Sequence, residues 1–238
     1  GNPVLTSDAF NLTSDSSDVM TINGTVTKTF LSLCLVVISG YYSWINISIT
    51  NVLILPAIFV ALILGGVTIY KKHLSPITVP IYAVIQGIFL GAISYTFNSL
   101  YDGIVITAIS YTLSILFVML TLYRTGIIKP TENFKLGVAA GTGGIALIYL
   151  ANFVMSFFGT GLSIMDINNA SMYSIGFSLL VIVMASLNLV VDFDFIEEGS
   201  EKRAPKYMEW YGAFGLLVTL IWLYLEILRL LAKMNSRK

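Results

Sequence analysis

The residues able to do chemistry in this chain are few, and most are carboxylates placed where carboxylates are expensive. The stretch LNLVVDFDFIEEGSEKRAPKYMEWYG, residues 187–212, closes one long apolar run with Asp192 and Asp194 and opens the next around Glu209. Of 13 basic and 13 acidic residues in the chain, nine lie between Asp192 and Glu209. Charge at the end of a membrane-length segment needs either an exit to water or a task. As a task, a carboxylate cluster at a pore mouth concentrates cations. As an exit, the same acids form a solvated loop. The D-x-D-x-x-E-E order lacks the glycine and ligand spacing of a calcium-binding loop, so no dedicated metal site is read here.

Pairing rules narrow the choices. Asp192 and Asp194 stand at i and i+2, about 200° apart on a regular helix, and do not face each other. Glu226 is the only acid inside the last apolar run, with Arg229 at i+3 as its natural partner in an intramembrane ion pair. It lies about 15 residues into that run, roughly 22 Å deeper than its start, and so far from Asp192. Glu209 stands at the depth of Asp192. Lys71 and Lys72 close an earlier run and offer basic partners.

The elements that must position these groups are membrane helices. Hydrophobic residues make up 56% of the chain and charged residues 11%, with a mean hydropathy of +0.85. Soluble domains average about 25% charged residues. A formal net charge of zero argues against nucleic-acid binding. The lone Cys34 and lone His73 exclude a disulfide framework and histidine or thiolate metal clusters, and no cofactor is expected. No G-x-S-x-G or H-E-x-x-H constellation is present, so the chain is not read as an enzyme.

Seven windows are long and apolar enough to cross a bilayer: 27–46, 52–70, 79–98, 103–123, 136–158, 172–191 and 211–232. Residues 1–24 read as a short mobile cytoplasmic tail and residues 25–238 as one transmembrane domain. If the segments alternate, nine basic residues fall on one side, and the loops after the first, third and fifth segments contain no Lys or Arg. The positive-inside rule then places the N-terminus in the cytoplasm. A full seventh crossing puts Arg229, Lys233, Arg237 and Lys238 on the opposite side, and a re-entrant last segment keeps them inside. Gly87-x-x-x-Gly91 and Gly137-x-x-x-Gly141 read as close helix-packing motifs.

LNLVVDFDFIEEG and the following APKYMEWYGAFGLLVTLIWLYLEILRLLAK resemble the C-terminal half of the bacterial Bax inhibitor-1/YccA family. NGTVTKTF at 23–30, PITVPIYAVIQGIFLGAIS at 76–94 and YRTGIIKPTENF at 123–134 extend the resemblance over most of the chain from Met20 onward. It implies an all-α fold of seven transmembrane helices with the last one central. It also implies a pH-sensitive calcium leak, in which an Asp at the end of helix six pairs with an Asp in helix seven and a basic residue after helix two latches the pair. Asp192 matches the first Asp, and Lys71 or Lys72 the basic residue. The second Asp falls on Thr219, which cannot titrate, leaving Asp194 and Glu209 as candidate substitutes. Gln86 stands where related sequences often carry Glu.

The resulting expectation is a pH-modulated cation leak of the cell (inner or plasma) membrane, with calcium transported or weakly bound. Asp192, Asp194, Glu209, Lys71 and Lys72 would form its latch and ion path. The alternative is a regulatory membrane protein that binds a membrane-embedded complex such as a quality-control protease.

Overall fold

The computed structural model describes residues 19–237. Among them, helices are the only regular elements apart from one antiparallel bridge between Val19 and Pro205. The order is α1 Ile22–Ile45, α2 Ile47–Thr50, α3 Ile54–Tyr70, α4 Ser75–Leu100, α5 Ile104–Arg124, α6 Glu132–Ser156, α7 Met172–Glu201 and α8 Met208–Asn235. Each of the seven apolar windows is found as a helix. Six helices are long and apolar enough to cross a membrane, whereas α3 has 17 residues. At 1.5 Å per residue α3 spans about 26 Å, just short of a ~30 Å hydrocarbon core.

Local chemistry sets the boundaries. The Thr21 hydroxyl caps α1 by accepting from Gly24 N at 3.0 Å, and Thr131 caps α6 by accepting from Phe134 N at 3.3 Å. Pro56 lies in the first turn of α3, where its missing N–H has no helical partner to lose. Gly103 precedes α5 with φ +77°, a left-handed conformation open to glycine.

The exposed surface is apolar. Phe30, Val37, Ile38, Leu62, Leu147 and Phe157 all lie open, while Asp192, Glu209, Glu226 and Lys233 are at most 1% exposed. That inversion of the usual order suits lipid outside and polar contacts inside. Helix α8 is buried around its whole circumference, with Thr219–Ile221 and Glu226–Leu228 covered on successive positions. It is the central helix.

Two segments depart from expectation. The charged stretch after Val191 does not leave the helix: α7 continues to Glu201. Phe193, Phe195, Ile196 and Gly199 are buried, while Asp194, Glu197, Glu198 and Glu201 are more open, the pattern of an amphipathic helix. The loop is confined to residues 202–207. It begins with a Schellman turn, in which Ala204 N donates to Gly199 O (3.0 Å) and Arg203 N to Ser200 O (3.2 Å). Arg203 takes the left-handed position, φ +52°, where glycine is usual. Of the expected tail, residues 1–18 lie outside the described residues. Residues 19–24 are built into the fold: Met20 is buried and its N–H donates to Ala204 O at 2.7 Å.

The chain divides into two compact units. One contains Leu100–Phe193 and the chain from Thr219 onward, and the other contains the segments before Leu100 and Asp194–Val218. In the second unit, α1 and α4 meet through small residues. A Cβ on Gly91 would lie 2.2 Å from Gly40 O, and one on Gly87 would lie 2.5 Å from Val36 O. Ser43 Oγ donates to Ile88 O across the same contact, 2.8 Å. The Gly87-x-x-x-Gly91 motif is therefore a packing seam. In the Gly137-x-x-x-Gly141 motif, Gly141 packs on Met184 and Gly137 has open space around it.

Candidate functional site

The first unit contains a buried polar seam built by α6, α7 and α8. At one end Asp192 Oδ2 accepts a 2.6 Å hydrogen bond from Thr219 Oγ1. One turn earlier on α7, Asn188 Nδ2 donates to Thr142 Oγ1 at 2.7 Å and to Met184 O at 2.9 Å. Further along α8, Glu226 Oε2 accepts from Arg229 Nη1 at 2.6 Å and from Tyr149 OH at 2.7 Å. Arg229 Nη1 also donates to the Tyr149 oxygen at 3.2 Å, so the phenol joins acid and base. At the far end Lys233 Nζ donates to Ile164 O (2.8 Å), Ser178 Oγ (3.0 Å) and Ser174 O (3.2 Å).

The geometry follows from simple spacing. Asp192 meets Thr219, and fourteen residues away on each helix Ser178 meets Lys233. Helices α7 and α8 therefore run antiparallel in constant register over roughly 21 Å. Thr219, Glu226 and Lys233 recur every seven residues and so share one face of α8. Thr142 and Tyr149 do the same on α6. Buried polar groups demand partners, and these helices supply them laterally.

The second unit contains a separate charged node. Glu209 Oε1 accepts from Thr21 Oγ1 (2.8 Å) and Thr21 N (3.1 Å) and pairs with Lys206 at 3.1 Å. Its other oxygen pairs with Lys28 at 3.2 Å. The carboxylate thus sits on the N-terminus of α1, where the helix dipole favours negative charge. Gly24 makes room for it, since a Cβ there would lie 1.9 Å from Oε1. Thr21, Gly24 and Lys28 give the opening of the NGTVTKTF stretch a structural meaning.

The group that meets Asp192 is Thr219, at the position where the resemblance implies a second acid. Glu209 is engaged by Thr21, Lys28 and Lys206 instead. Asp194, two residues on and turned to another side of α7, is half-buried. Lys71 caps the end of α3, and the Lys72 ammonium lies 5.7 Å from the centre of the Tyr211 ring. Glu226 and Arg229 form the ion pair their spacing suggests, with Tyr149 as a third member. Sequence reasoning missed Asn188, Tyr149 and Lys233. The seven-residue recurrence on α8 was the available signal.

Chemically, the Asp192–Thr219 pair holds one titratable group. A threonine hydroxyl donates to a carboxylate but cannot share its proton as a second acid would. The seam therefore offers, in order, an acid, an amide, an acid–base–phenol triad and an ammonium.

Residues 2–236 match the family described as Bax inhibitor 1 like. The match covers nearly the whole chain, and the chain belongs to that family. No curated protein matches it.

Proposed function

We propose that this member of the Bax inhibitor 1-like family is a cation leak of the cell membrane, calcium among its ions, modulated by protonation of Asp192. The observation that supports this reading is the wholly buried Asp192 carboxylate, bonded to Thr219 at one end of a polar seam. A charge so placed inside membrane helices is costly and marks an ion path. Ionised, Asp192 accepts from Thr219 and attracts cations into the seam. Protonated, it loses that charge, and its contact with α8 no longer has the strength of a charge-assisted bond. The open acids of α7, Glu197 and Glu201, concentrate cations nearby. In this reading the N-terminus is cytoplasmic, on the side of the nine basic residues in alternating loops.

Purified protein in calcium-indicator liposomes tests this. Uptake well above that of empty vesicles, reduced in Asp192→Asn, is expected. Uptake indistinguishable from empty vesicles would sink the reading.

A further inference from the structure

Lys233 is the least expected group in the seam. It is a lysine in the last turn of an apolar helix, wholly buried, and its three N–H donors meet three oxygens. Two of these, Ile164 O and Ser174 O, are carbonyl oxygens, and the third is the Ser178 hydroxyl. No carboxylate is among them; the nearest acid on α8, Glu226, lies two turns away and is bonded to Arg229 and Tyr149. A cradle of neutral carbonyl and hydroxyl oxygens is the ligand chemistry that replaces the hydration shell of a monovalent cation.

The cradle is built, not incidental. Ile164 sits in a single 3-10 turn, Ser163–Met165. That turn is tied down by Ser174 Oγ donating to Ile164 O (3.0 Å) and by Asn169 Nδ2 donating to Ser163 O (2.9 Å) and Ser163 Oγ (2.8 Å). Asn152 Oδ1 accepts from Leu162 N at 2.8 Å, fixing the same stretch to the end of α6. The Ile164 carbonyl is thus held independently of the lysine, and Ser174 O is fixed as backbone of α7.

We propose that Ile164 O, Ser174 O and Ser178 Oγ form a monovalent-cation site at the far end of the seam, and that the Lys233 ammonium fills it as a tethered plug. The lysine is a covalently attached competitor: it neither diffuses away nor passes through. This deepens the leak reading and rests on it, because a plug matters only on a conducting path. It also gives Lys233 a task that a mere packing lysine lacks.

The test uses Tl+ influx into proteoliposomes of the full chain, with propylammonium as the probe. Lys233→Ala leaves a space that propylammonium completes to a lysine. This variant is expected to pass Tl+ several-fold faster than wild type. Propylammonium should return its flux to the wild-type level and raise its melting temperature, but not that of wild type. Lys233→Met keeps the apolar stem without the ammonium. It should pass Tl+ faster and ignore propylammonium, and it carries the test if the alanine variant does not fold. Unchanged flux in the variants beside a conducting wild type overturns the plug. If wild type does not conduct, the leak reading has failed on its own, and melting temperature decides the site. Selective stabilisation of Lys233→Ala by propylammonium upholds the cradle, and its absence overturns it.

Discussion

At the scale of single residues, the contact between Asp192 and Thr219 decides what chemistry the seam can do. A second acid at position 219 could share a proton with Asp192, which a threonine hydroxyl cannot do. The hydroxyl still matters, because it donates a 2.6 Å bond to a buried carboxylate. Thr219→Val keeps the shape and removes this donor. It should destabilise the protein by about 1–3 kcal/mol, the cost of weakening the satisfaction of a buried acceptor. Thermal unfolding in detergent would show this, and an unchanged melting temperature would mean that the bond contributes little. Thr219 was legible only by alignment to a family pattern, as the place where an acid is missing. That a threonine would still bond to Asp192 was not, because a hydroxyl in an apolar run reads equally well as bonded to its own helix backbone.

At the scale of elements, all seven apolar windows became helices, six of them to within about five residues at each end, since length and hydropathy fix a membrane helix strongly. The end of α7 was misread because charge density suggested a loop. The buried set Phe193, Phe195, Ile196 and Gly199 was masked by the carboxylates interleaved with it. The Gly87-x-x-x-Gly91 motif was legible, since only small residues permit that approach. Gly91→Ala places a methyl 2.2 Å from the Gly40 carbonyl oxygen, a backbone atom that cannot swing away. A loss of about 1–3 kcal/mol is expected, the usual cost of overpacking. Gly137→Ala, with open space around the added methyl, serves as the control and should not destabilise, gaining up to about 1 kcal/mol from the loss of glycine's freedom in the unfolded chain. Equal behaviour of the two variants would refute the packing role.

At the scale of the whole molecule, an apolar surface goes with four wholly or almost wholly buried acidic or basic side chains among the described residues: Asp192, Glu209, Glu226 and Lys233. Three belong to the seam, and Glu209 secures the start of α1. Composition made the membrane environment plain, but not the division of labour among the charges. Asp192 and Glu209 stand at similar depths in sequence, and only the fold shows that one meets Thr219 and the other Thr21, Lys28 and Lys206. Lys233 was read as a tail charge because it stands near the C-terminus, although its seven-residue spacing from Glu226 puts it on the seam.

The most direct test is the calcium flux of wild type and Asp192→Asn, reconstituted side by side and followed from mildly acidic to mildly basic pH. The account predicts that wild-type flux changes with pH and that Asp192→Asn flux is flat over the same range. A variant that keeps the wild-type pH profile would contradict it, and the proton-sensitive group would have to be sought elsewhere in the protein.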